Sequence, residues 1–169
     1  MKGKVIVDFA LQFGVKLVFN DDLLFQCEGR FFLLNSNVKS LVRDNFFYAG
    51  IYLGKVRSGK FFPSFNLLSM LIEHECNRIV IDRKTSWLFI CGRNIFRNSI
   101  LQAYGKIRQK NHVLVLNELG ECLGFGRVLA GFEEQQDNKN SVAIANVLDI
   151  GDFLRREREH KNRLDIKQR

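Results

Sequence analysis

Apolar residues recur on one helical row near the start of the chain: Val5, Phe9, Phe13 and Leu17, with Ile6 and Ala10 beside them. Asp8, Gln12 and Lys16 fall on other faces, so the spacing predicts an amphipathic helix. Gly14 weakens a helix by about 1 kcal/mol. It predicts an end there, with a strand starting over Val15–Phe19. Asn20-Asp21-Asp22 predicts a turn. Leu23–Cys27 and Phe31–Leu34, joined through Glu28-Gly29-Arg30, predict a hairpin. Asn35-Ser36-Asn37 fits the cap of a short helix over Val38–Val42. Phe46–Val56 and Lys60–Phe62, around Arg57-Ser58-Gly59, predict a second hairpin. Pro63, the one proline, suits a first helical turn. Leu67, Leu68, Leu71 and Ile72 then form an apolar stripe running to about Cys76.

The second half predicts more strands. Arg78–Asp82 is a short strand ending the first half. Ser86–Cys91 predicts another strand, and Gly92 turns it into a helical segment over Asn94–Tyr104. His112–Leu116 is a dense apolar strand, and Leu119-Gly120 turns it back into Cys122–Val128. Glu133–Asn140 is a polar, acidic loop. Ser141–Leu148 predicts a strand, and Asp149 opens a last helical segment over Gly151–His160. About six β segments with helices at the corners predict a small mixed barrel. The expected division is an N-terminal domain over 1–79, a barrel domain over 80–160 and a charged tail over 161–169.

Charge sharpens this picture. From Arg83 to Asn117 the chain carries seven cations and no Asp or Glu: Arg83, Lys84, Arg93, Arg97, Lys106, Arg108 and Lys110. A carboxylate beside a phosphate repels it, so selective omission of acids marks a polyanion footprint, with nucleic acid the leading candidate. The bland alternative is a scatter of solvated lysines and arginines. A second acid-free window, Asn45–Ile72, carries Lys55, Arg57 and Lys60. The cluster Arg155, Arg156, Arg158, Lys161 and Arg163 is diluted by Glu157 and Glu159, so an ion-paired exposed helix competes with an anion site there. The net charge of the 169 residues is +8.

Catalytic groups are scarce. His74, His112 and His160 stand apart, and no nucleophile elbow or P-loop occurs. Cys27, Cys76, Cys91 and Cys122 have no zinc-ligand spacing, so no metal or other cofactor is expected. They read as reduced thiols of a cytosolic protein. Cys91, at an apolar strand end, reads as a buried inert thiol. Leu123-Gly124-Phe125-Gly126 lacks the third glycine of a dinucleotide site; its glycines predict a bending strand or a close backbone approach. The apolar stretch up to Phe19 is broken by polar residues and too short to span a bilayer. The residues therefore point away from an enzyme and a membrane protein.

Trp87–Gly92, Asn98–Leu101, Leu123–Gly126 and Asp149–Arg156 resemble stretches of a PUA domain, the RNA-binding pseudobarrel of pseudouridine synthases and archaeosine transglycosylases; the last two are the specific ones, and their order and separation match the closing half of the barrel. Phe31–Leu34, Phe46–Tyr52, Leu53-Gly54-Lys55 and Lys60-Phe61 before the Leu67–Ile72 stripe are similar to the N-terminal domain of one family. That family is the ribosome-biogenesis factor called nuclear import protein seven, in its archaeal form. The resemblance runs from about Leu17 to His160. It implies an α+β protein: an N-terminal α/β domain with an antiparallel sheet, followed by a C-terminal PUA pseudobarrel. It implies RNA binding in large-subunit rRNA processing and assembly, without catalysis. The implied partners are pre-rRNA or single-stranded RNA and pre-ribosomal or exosome-linked proteins, in the cytoplasm or, in a eukaryote, the nucleolus.

The family's RNA contact maps onto Arg155 and Arg156, followed by Arg158 and Lys161. The basic region adds Arg93, Arg97 and Lys106. Relatives commonly have Pro where Cys91 stands and Gly where Arg97 stands. Ile150, Phe153 and Leu154 are expected to anchor the last segment, leaving Arg155 and Arg156 free. Replacing both is then expected to weaken RNA binding with little change in melting. An accessory PUA module of an RNA-modifying complex and a protein-interaction adaptor are the alternative functions.

Overall fold

The computed structural model describes residues 3–42, 48–129, 141–152 and 155. Two compact units divide the chain, Met1–Cys76 and Asn77–Arg169.

In the first unit, helix α1 (Lys4–Leu11) buries Ile6, Phe9 and Ala10. An antiparallel sheet follows, made of β1 (Leu24–Cys27), β2 (Arg30–Leu33), β3 (Ile51–Arg57) and β4 (Lys60–Pro63) in that spatial order. Aromatic rings supply much of the core: Phe9 lies 5.1 Å from Phe13 and 5.4 Å from Phe61, and Phe32 lies 5.0 Å from Tyr48. Helix α2 (Ser36–Lys39) is capped by Asn35, whose Oδ1 accepts from the Val38 amide at 2.7 Å. Helix α3 (Phe65–Ile72) buries Leu67, Leu68 and Leu71 completely.

Two expectations for this unit fail for physical reasons. Val15–Phe19 alternates buried and exposed side chains but pairs with no described strand, so it is not a strand. Pro63 does not open a helix. It closes β4 opposite Gly54, at the sheet edge, where a missing N–H is tolerated. Ser64 is the cap instead, with Oγ accepting from the Leu67 amide at 3.2 Å and donating to the Tyr52 carbonyl at 2.6 Å. Part of the expected Phe46–Val56 strand lies outside the described residues, and β3 begins at Ile51.

The second unit contains β5 (Arg78–Ile81), α4 (Arg83–Ile90), β6 (Ile95–Phe96), a 3-10 turn (Arg97–Ser99), β7 (Ile100–Tyr104), β8 (His112–Leu116), β9 (Cys122–Val128) and β10 (Val142–Asp149). The spatial order is β6-β10-β9-β8-β5-β7, with β5 and β8 parallel and the other described pairs antiparallel. The two outer strands, β6 and β7, are joined by the 3-10 turn alone. A flat six-stranded sheet holds its outer strands about 24 Å apart. The four steps from Phe96 to Ile100 reach at most about 14 Å. The sheet must therefore curl into a half-barrel, and it closes over Ile79, Ile81, Phe89, Ile95, Val113, Val115, Val128 and Ile144.

Gly124 makes the curl possible. It adopts φ 143, and a β-carbon there would stand 2.0 Å from the Leu148 carbonyl oxygen of β10. The Leu123–Gly126 glycines thus serve close backbone approach.

Residues 86–91, expected as a strand, form most of α4 and its cap. The reason is Asp82: its Oδ1 accepts from the Thr85 amide at 2.7 Å and its Oδ2 from the Thr85 hydroxyl at 2.9 Å, an N-cap that starts a helix. The expected helix over Asn94–Tyr104 is instead β6, the 3-10 turn and β7. Only Arg97–Ser99 is helical. Residues 78–81, expected to end the first half, pair within the second sheet. No described helix is long and apolar enough to cross a membrane.

Candidate nucleic-acid interface

Helix α4 ends in a Schellman motif. Cys91 is the cap, Gly92 (φ 88) donates to the Phe89 carbonyl at 2.9 Å, and Arg93 donates to the Leu88 carbonyl at 3.0 Å. Carbonyls at such an end carry partial negative charge and attract donors and cations. Side chains of β10 and the segment after it supply them. Asn146 Nδ2 donates to the Phe89 carbonyl at 2.8 Å and to Asp149 Oδ2 at 3.1 Å, and lies 3.5 Å from the Arg93 carbonyl. The Asn146 amide donates to Asn94 Oδ1 at 3.0 Å. Arg155 Nη1 donates to the Ile90 carbonyl at 2.6 Å, and its Nη2 meets Asp149 Oδ2 at 2.7 Å. Asp152 lies 3.9 Å from the same guanidinium. The result is a clamp tying residues 89–94 to β10 and Arg155. The Asp149 hydrogen bond raises the Arg155 pKa further, keeping it charged at every accessible pH.

Asp149 is 2% exposed, and its Oδ1 has no hydrogen-bond partner among the described residues. Asp82, as shown, is committed to capping α4. Two of the second unit's described acids are thus engaged internally. Arg83, Lys84, Arg93, Lys106, Arg108, Lys110 and Arg127 are exposed. The outer face of α4 adds an aromatic group. Thr85 and Phe89 point inward, while Arg83, Lys84, Trp87 and Leu88 point outward, with Trp87 67% exposed.

The expected site residues are placed unequally. Arg93 and Arg155 are joined through the Asn146–Asp149 pair. Arg97 is half-buried, opens the 3-10 turn, and donates its amide to the Ser141 carbonyl at 3.0 Å. Lys106 follows the far end of β7, about 17 Å along a five-residue strand. Arg156, Arg158 and Lys161 lie outside the described residues, as do Phe153 and Leu154. Arg155 is not left free as expected but is bound to a buried carboxylate, so its loss must cost stability. Cys91, expected to be buried, is exposed, because the segment is a helix end and not a strand end.

Four contributors escape a reading of composition. Trp87 is hidden in an apolar run; helical spacing from the Asp82 cap is the signal that exposes it. Arg127 sits alone among β9 residues. Asn146 and Asp149 look like ordinary strand-end polar residues, and no local signal marks them.

Residues 77–158 match the family described as the UPF0113 PUA domain. The second unit is a PUA pseudobarrel. The described residues form an α+β chain in which an antiparallel sheet unit precedes this PUA unit. The chain is 28% identical over 114 residues to a UPF0113 protein of Archaeoglobus fulgidus, covering 67% of this chain and 64% of that protein. A 72-residue stretch, 43% of this chain, is 28% identical to 11% of the tRNA-guanine(15) transglycosylase of Methanobrevibacter smithii. The matched stretch is less than two thirds of either relative. A conserved PUA domain protein from Thermoplasma acidophilum has the same fold, with a TM-score of 0.58 at 16% identity, covering 92% of this chain and 93% of that one. A hypothetical protein from Pyrococcus horikoshii follows at 0.54 and 18%, covering 86% and 87%. At these identities both structures speak to fold alone.

Proposed function

We propose that this protein is a non-catalytic RNA-binding factor of ribosome biogenesis, acting in large-subunit rRNA processing and assembly in the cytoplasm. The observation that carries the RNA reading is the surface of the PUA unit. Arg83, Lys84, Arg93, Lys106, Arg108, Lys110 and Arg127 stand exposed while Asp82 and Asp149, the nearest acids in sequence to α4 and the clamp, are occupied within the fold. Arg93, Arg97 and Lys106 would meet phosphates, together with Arg156, Arg158, Lys161 and the outer N–H groups of Arg155. Trp87 offers a ring face on which an unpaired base can stack. The ribosomal part is supported by the resemblance of both halves to one biogenesis family. Pre-ribosomal or exosome-linked proteins are the proposed protein partners.

A second reading is an accessory PUA module in an RNA-modification complex. The 72-residue match to a tRNA transglycosylase favours it. Crosslinking in cells followed by sequencing of the bound RNA separates the two. Pre-rRNA supports the first, tRNA or guide RNA supports the second, and absence of crosslinked RNA overturns both.

A further inference from the structure

We propose that Asn146 is a positioning residue for RNA capture: it holds the Cys91–Asn94 loop in the one shape that presents Arg93 to a phosphate. The inference rests on the RNA-binding reading above and assigns the part of the site that sets its geometry.

Asn146 sits where β10 slips register against β9, between Asn146 and Leu148. A bulge turns side chains out of strict alternation, and here the neighbour Val147 is exposed while Asn146 meets the end of α4. The Asn146 amide nitrogen faces acceptors only: the Phe89 carbonyl, Asp149 Oδ2 and, more weakly, the Arg93 carbonyl. An asparagine amide has two N–H groups and suits this set; a carboxylate of the same shape has none. The backbone of the same residue holds the other side of the loop through Asn94. One residue thus fixes the peptide before the loop, the carbonyl of Arg93 and the side chain after it. The Arg93 side chain itself is exposed. A cation whose backbone is fixed loses less conformational freedom on meeting a phosphate than one on a mobile loop.

The test measures affinity of the full chain for a labelled mixed-sequence single-stranded RNA across a salt series. Wild type, Arg93→Ala, Asn146→Ala and the double variant are compared. Arg93→Ala should weaken binding and flatten the log-log salt slope by about 0.7, one phosphate contact. Asn146→Ala should weaken binding by about fivefold, the size of one lost hydrogen bond. Although it removes no charge, it should flatten the slope as well. The double variant should bind no worse than the weaker single variant. Asn146→Asp should bind at least as poorly as Asn146→Ala.

Wild-type affinity and slope in Asn146→Ala, or multiplying losses in the double variant, overturn the positioning role. Wild-type binding by Arg93→Ala overturns the RNA reading of this loop, a distinct result. If Asn146→Ala fails to fold, Asn94→Ala carries the same comparison. It is an exposed change that removes the acceptor of the Asn146 amide, and the same slope change is expected of it.

Discussion

Replacing Arg155 with alanine removes two charge-assisted contacts at once, the 2.7 Å bond to Asp149 and the 2.6 Å bond to the Ile90 carbonyl. Among the described residues Asp149 is then left with the Asn146 side-chain amide at 3.1 Å, since its other oxygen has no partner there. Stranding one member of a fully buried ion pair costs about 3–5 kcal/mol. The Arg155 side chain is 42% exposed, however, so solvent screens the pair and discounts that figure. A loss of about 2 kcal/mol is expected, which in a domain of this size lowers the melting midpoint by about 8–16 °C. Circular dichroism melts of Arg155→Ala, Asp149→Asn and the double variant measure it. The double variant should cost less than the sum of the singles, because the neutral amide no longer needs the guanidinium. An Arg155→Ala midpoint within about 2 °C of wild type would refute the clamp. RNA affinity of this variant must be measured well below its midpoint, and Arg156→Ala becomes the cleaner probe of phosphate contact.

Trp87→Ala should leave the melting midpoint almost unchanged, because the ring is exposed, while weakening single-stranded RNA binding by about 1–3 kcal/mol if a base stacks on it; isothermal titration checks both the affinity and the enthalpy. Gly124→Ala places a β-carbon against the Leu148 carbonyl at a strained φ and should cost about 3 kcal/mol or more. Gly120→Ala, with open space around it, should cost about 1 kcal/mol; urea unfolding ranks the two. His112 has its pKa lowered, first by burial and then by the charge of Arg127. Its contribution is whole above about pH 6.5, the unfolded value. It is lost as pH falls from there through the lower folded value, because the unfolded chain then binds the extra proton. The urea midpoint should therefore drop on acidification, and His112→Gln should lessen the drop; an equal drop in both proteins rules the residue out.

The two hairpins of the first unit were legible because short apolar runs met at glycine-bearing turns. Helix α3 was legible because Leu67, Leu68 and Leu71 repeat at helical spacing. Helix α4 was not, since Trp87-Leu88-Phe89-Ile90 is apolar all round and has no period to read. The deciding signal was outside the run, in the Asp82 cap. Strand β7 was hidden for the opposite reason: at a sheet edge its residues are mostly exposed, so alternation between core and solvent is lost. At the candidate site the cations announced themselves through the missing acids. The clamp did not, because Asn146 and Arg155 bond residues 52 to 65 positions earlier, and no window of sequence contains both ends.

That separation along the chain also sets an order of events during synthesis. Chains emerge N-terminus first at about 5–20 residues per second, so the Cys91–Asn94 loop leaves the ribosome seconds before Asn146 and Arg155 exist to hold it. A nascent or truncated chain ending before β10 carries Arg93 but lacks the groups that give it a fixed direction, and it also lacks the strand that pairs with both β6 and β9. Arrival of β10 therefore joins β6 to β9 and supplies the groups that hold the loop in a single step, so the proposed RNA capture would require that β10 has been made.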